Sequence, residues 1–152
     1  MLLVLASAPL VAVPEYPTMG PDIFDAGAKA ETLIKDATVQ AARENKRVLL
    51  LFGANWCPWC RRLHRALSSD PRVAGRLRQH FVLVYIDANT RNDRKRNAAV
   101  IERYGNPLQY GLPVFVVLDA KGERLATQET ASLSDPTGKG TVEKILAFLG
   151  RW

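Results

Sequence analysis

The chain has 152 residues, 47% hydrophobic, 24% charged and 8% aromatic, which suits one soluble domain able to bury roughly two-thirds of its unfolded surface. This composition excludes wholesale disorder and a bilayer-spanning helix of roughly 20 apolar residues in the mature chain, and two cysteines exclude a disulfide-dense scaffold or a four-cysteine zinc site. The net charge of +6, from 14 arginines and 7 lysines against 15 acidic residues, suits several partners, but no nucleic-acid-binding signature accompanies it and no nucleic-acid partner is expected.

Met1 to Val13 is apolar and uncharged, with Ala6-Ser7-Ala8 as a small-x-small pattern. It reads as the h-region of a signal peptide without a basic n-region, and the competing reading is a short apolar arm. Export to the periplasm or outside the cell follows from the first reading, a cytoplasmic location from the second. Pro14, Pro17 and Pro21 make the stretch up to residue 21 an extended linker, so the folded unit is predicted over residues 22–152.

From Asp25 to about Asn45, apolar residues recur at helical spacing (Ala30, Leu33, Ile34, Ala37, Ala41), which predicts an amphipathic helix. Val48 to Phe52 is a continuous apolar run between Lys46-Arg47 and Gly53, as for a central strand covered on both faces. Trp56 to about Ser68 turns helical, and Asp70-Pro71 marks the N-cap and first residue of a short helix. Phe81 to Ile86 is a second strand and Asn92 to Tyr104 a helix stopped by Gly105-Asn106-Pro107. Val114 to Leu118 is a third strand, Ala120-Lys121-Gly122 a hairpin turn, Arg124 to Glu129 an outer fourth strand, and Thr141 to Leu149 a closing helix. The predicted class is α/β: a mixed four-stranded sheet with helices on both faces, its first strands parallel through right-handed crossovers and its last pair antiparallel.

Both cysteines lie in one tetrapeptide, Cys57-Pro58-Trp59-Cys60, where the first strand hands over to a helix. A disulfide there closes a tiny loop and contributes little to global stability, so its value is chemical. The free N–H groups and positive dipole end of a helix N-terminus favour a thiolate at Cys57, and Arg61 adds a cation one turn on. Cys57 is then the attacking nucleophile and Cys60 the resolving thiol. Zinc would need His64 and His80 to complete the ligand set, and nothing in the sequence brings His80 near, so no metal is expected. Arg61, not histidine, follows Cys60, which excludes c-type haem attachment. An inert structural pair is the remaining alternative.

Trp56-Cys57-Pro58-Trp59-Cys60 after an apolar strand, with Gly111-Leu112-Pro113 before Val114, resembles the thioredoxin superfamily from about Asp25 to Leu149. The resemblance implies a thioredoxin-like fold in which Pro113 is cis and faces the cysteine pair, while Leu112 offers its backbone to an extended peptide. Within the superfamily the chain looks most like the often periplasmic branch that includes disulfide-reductase modules. Two polar positions of that family are replaced: Leu51 stands for its buried aspartate and Leu83 for a nearby lysine, which leaves the group that deprotonates Cys60 unnamed. Gly-Leu-Pro and Asp119-Ala120-Lys121-Gly122 replace the glutathione-gripping segments of glutaredoxins. Trp56, Pro58, Trp59, Leu112 and Pro113 are expected to form an apolar docking rim around the sulfurs.

Arg91-Asn92-Asp93-Arg94-Lys95-Arg96 places cations at an expected helix start, where the dipole opposes them. It reads as a solvated loop or as a weak contact for an acidic partner or anionic membrane face. The function expected is exchange between a dithiol or disulfide of a protein substrate and the Cys57–Cys60 pair, recycled by a redox partner and needing no dissociable cofactor. The rival is a binding module of the same fold whose cysteine pair only switches affinity for a client.

Overall fold

Val48 to Phe52 carries no polar side chain, and each of these residues is fully buried, because this strand has helices on both of its faces. The computed structural model describes residues 12–152. The signal-like reading of Met1 to Val13 falls almost wholly outside the described residues. In chain order the elements are α1 (Ala30–Glu44), β1 (Arg47–Gly53), α2 (Pro58–Ser69), α3 (Pro71–His80), β2 (Phe81–Asp87), α4 (Ala98–Arg103), β3 (Val114–Leu118), β4 (Arg124–Glu129) and α5 (Thr141–Leu149). The sheet order is β2-β1-β3-β4, with β1 and β2 parallel and the other two pairings antiparallel. The expected mixed sheet is present, and its third strand runs against the first.

The period of two along the strands sorts the core into two layers. Leu49, Leu51, Phe115 and Val117 face Leu63 and Leu67 of α2, Val73 and Leu77 of α3, and Ile145, Phe148 and Leu149 of α5. Phe115 stacks on Phe148 with ring centroids 5.5 Å apart. Val48, Leu50, Phe52, Val114, Val116 and Leu118 face the other way, onto Ala30, Ile34, Ala37 and Ala41 of α1 and Val100 of α4. The two cysteines belong to the first layer, so the redox pair sits in the wall between the sheet and α2.

Three expectations are corrected. The first helix begins at Ala30, not Asp25: Asp25 turns onto the Gly27 N–H at 2.8 Å, and the Ala30 N–H is received by the side chain of Asn97 at 3.0 Å, a partner 67 residues away. The fourth helix begins at Ala98, not Asn92, because Asn92, Asp93 and Asn97 take left-handed backbone angles (φ 58°, 59° and 55°) that a helix does not tolerate. The basic run is no free loop either. Arg94 pairs with Glu15, and Arg96 with both Glu15 and the buried Asp87. Glu15, inside the stretch expected to be a linker, is therefore in contact with the domain.

Candidate active site

β1 ends at Gly53, and the chain turns through Ala54-Asn55-Trp56 to deliver Cys57 as the N-cap of α2. Pro58 follows at the first helical position, where its missing N–H costs nothing. The Cys57 thiol sulfur accepts the backbone N–H of Cys60 at 3.2 Å and lies 3.9 Å from the Leu112 carbonyl oxygen. Leu112-Pro113 is cis, as expected from the resemblance. The Thr130 hydroxyl donates to the Pro113 carbonyl and so ties this segment to the end of β4. The pair is in the dithiol form, Cys57 3% exposed and Cys60 wholly buried.

These surroundings separate the two sulfurs. The Cys57 thiol is brought down to about 7 by a hydrogen bond from the Cys60 side chain, then by the backbone N–H groups of Cys60 and Trp59 and by the charge of Arg91, against the opposing effect of burial. Cys60 is pushed strongly upward, because it gives its proton to that hydrogen bond, is buried, and faces the Cys57 thiolate. A sulfur disposed to ionise stands in front of one that holds its proton.

The wall behind Cys60 is apolar. Leu51 fills the site of the family's aspartate and is fully buried, and Leu83 is half-buried. Gly53 is required where it stands, since a methyl there would lie 2.9 Å from the Cys60 sulfur and 2.3 Å from a ring carbon of Phe24. Phe24 enters from the N-terminal segment, held by Asn55. The Asn55 side-chain oxygen accepts the N–H groups of Ile23 and Phe24, both at 2.9 Å, and its amide donates to the Phe24 carbonyl at 2.9 Å. Arg61 is likewise structural: its guanidinium donates to the carbonyls of Asn55 and Pro21. The cation that acts on Cys57 is Arg91, not the Arg61 expected from the sequence.

Of the five residues expected to form an apolar rim around the sulfurs, two are exposed. Trp59 stands out, 56% exposed, with the Arg62 guanidinium 4.6 Å from its ring centroid, and Pro58 is exposed beside it. Trp56 is half-covered: its indole N–H donates to Asn89 at 3.0 Å and Arg91 lies 3.7 Å over its ring. Leu112 is half-buried and Pro113 buried. Neither histidine reaches the sulfurs by any hydrogen bond. His64 meets the Tyr85 hydroxyl at 3.0 Å, and His80 meets Arg76 at 3.2 Å. Among the described residues no three His, Cys, Asp or Glu side chains are grouped to hold a metal ion.

Sequence reasoning missed Phe24, Asn55, Asn89 and Thr130, and read Arg91 as part of a solvated or partner-contacting run, not as a cation beside Cys57. Asn55 alone left a signal, as a polar residue set among apolar ones two positions before Cys57.

The profile of the thioredoxin-like domain matches residues 34–134. A disulphide isomerase from Xylella fastidiosa Temecula1 superposes with a TM-score of 0.70 at 31% identity, covering 85% of this chain and 95% of that one. The thiol:disulfide interchange protein DsbD of Photorhabdus laumondii is 25% identical over 65% of this chain, and nucleoredoxin of Danio rerio 27% identical over 67%. The chain spans only 16% and 28% of the length of those two proteins.

Proposed function

The chain belongs to the thioredoxin-like domain family, and from that premise we propose that it is a thiol-disulfide oxidoreductase exchanging disulfides with protein substrates through Cys57 and Cys60. The observation that carries the reading is the Cys57 thiol at the head of α2, lowered to about 7 and set against the Leu112 carbonyl beside the cis proline.

In the reducing direction the Cys57 thiolate attacks one sulfur of a substrate disulfide, and the other substrate sulfur leaves as a thiolate and takes up a proton. Cys60, once deprotonated, attacks the Cys57 sulfur and expels the first substrate sulfur. The substrate gains two electrons and the protein is left with a Cys57–Cys60 disulfide, which a redox partner must reduce again. Every step uses these two sulfurs, so the reading calls for no dissociable cofactor. The half-buried cis-proline segment and the exposed Trp59 are the surfaces on which substrate backbone and side chains settle. The apolar Met1 to Val13 supports an exported location.

The test is insulin reduction with an added thiol reductant. Wild type turns over, Cys57→Ser does not, and Cys60→Ser accumulates mixed disulfides visible on a non-reducing gel. Turnover retained in Cys57→Ser would sink the reading, and an unperturbed Cys57 pKa without turnover favours the binding-module rival.

A further inference from the structure

A groove of about 980 Å³ opens beside the redox pair, walled by α2, by the segment around Leu112-Pro113 and by the loop joining β4 to α5. Trp59 and Tyr110 stand at its rim, each more than half exposed. Its cations outnumber its carboxylates, Arg62 and Arg65 against Asp135. Arg62 and Arg65 stand exposed on the α2 wall, and behind the opposite wall the Lys144 ammonium donates to the carbonyl of the lining residue Ser134 at 3.1 Å.

The carboxylates of this region keep their charge but are turned onto their own loop or onto Arg72. Asp135 accepts the Thr137 and Gly140 N–H groups at 2.8 and 3.1 Å and the Thr137 hydroxyl at 2.7 Å. Glu129 accepts the Ser132 N–H at 3.0 Å, and Glu143 pairs with Arg72 at 2.8 Å. Arg62 lies along the face of Trp59 and Arg91 along that of Trp56, the two tryptophans next in sequence around Cys57-Pro58. A guanidinium laid on an indole keeps its N–H fork free for a carboxylate.

We propose that this groove receives an extended acidic segment of the protein substrate, with aspartate and glutamate side chains flanking the cysteine that exchanges with Cys57. The proposal deepens the disulfide-exchange reading and rests on it for the identity of the occupant. Apolar lining from Leu112 and Val142 accepts the segment's own apolar groups, and the arginines select and steer its charge.

Two readouts separate this proposal from the function it builds on. The first is binding of cysteine-free peptides of one length, flanked by Asp/Glu or by Lys, followed by fluorescence anisotropy. The acidic peptide is expected to bind at least ~10-fold tighter at low ionic strength, with the advantage shrinking as salt screens it. In an Arg62→Glu/Arg65→Glu double variant the preference reverses; the ratio of two affinities is unaffected by a partial loss of folded protein. The second readout is turnover of a small neutral disulfide, bis(2-hydroxyethyl) disulfide. Equal affinity for the two peptides, preference for the basic one, or an acidic preference unchanged in the double variant overturns the groove assignment. Acidic preference without turnover of the neutral disulfide leaves the groove assignment standing and overturns the exchange reading.

Discussion

Asn55 and Phe24, 31 residues apart, hold each other by a reciprocal pair of hydrogen bonds. The Asn55 side chain accepts the Phe24 N–H and donates to the Phe24 carbonyl, each at 2.9 Å. Through that pair the segment before α1 becomes part of the wall behind Cys60. Asn55→Ala leaves buried backbone groups of Ile23 and Phe24 without partners and is expected to cost about 3 kcal/mol. Urea unfolding of the reduced protein measures it, and a loss under about 1 kcal/mol would show that water replaces the side chain.

Cys57 reactivity should follow pH with a midpoint near the value of about 7 set by its surroundings. Below the midpoint the sulfur is protonated and slow; above it the thiolate fraction, and with it the iodoacetamide alkylation rate, reaches a plateau. The Cys60 hydrogen bond is the foremost cause of the lowering. Cys60→Ala therefore moves the midpoint upward, and an unmoved midpoint would assign the effect to the helix N-terminus alone.

Two glycines predict opposite outcomes for the same substitution. Gly53→Ala drives a methyl into Phe24 and against Cys60, and should destabilise by about 2 kcal/mol while slowing resolution of mixed disulfides. Gly75, inside α3, has open space where a Cβ would go, so Gly75→Ala should stabilise by about 0.5–1 kcal/mol through the entropy of the unfolded chain. Thermal unfolding of both variants is the check.

Glu15 carries an acid-sensitive part of the stability. Hydrogen bonds and charge from Arg96, with Asn55 and Arg94, outweigh burial and hold its carboxyl below the usual value of 4.5. Above that value the carboxylate is charged in both folded and unfolded chains and its contribution is complete. As pH falls through and below it, the unfolded chain takes up the proton first and the advantage disappears. The stability gap between wild type and Glu15→Gln should be widest above the usual value of 4.5 and narrow as pH falls below it; a gap independent of pH would mean that the carboxylate charge is not what holds the segment.

The course of the chain was legible because its signals are local. Continuous apolar runs mark β1 and β3, Asp70-Pro71 opens α3, and Thr141–Leu149 is helical over the span its periodicity indicates. The cysteine pair was legible for the same reason: tetrapeptide spacing and a preceding strand suffice to seat Cys57 at a helix N-terminus. The start of α1 departs from its periodicity because Asn97 receives the Ala30 N–H from 67 residues away, and that of α4 because Asn92, Asp93 and Asn97 take left-handed angles that an apolar period does not mark.

Periodicity and motif thus determined the class of fold and the redox pair, since each depends on neighbours within a few residues, while the proline facing the pair came from the resemblance to a family. Tertiary structure alone decided which cation stands by Cys57, what seals Cys60 and where the arginines of residues 91–96 point. Those answers depend on pairs such as Glu15 with Arg96, 81 residues apart. Their closeness is created only when the two core layers close on the sheet, and a linear pattern carries no record of it.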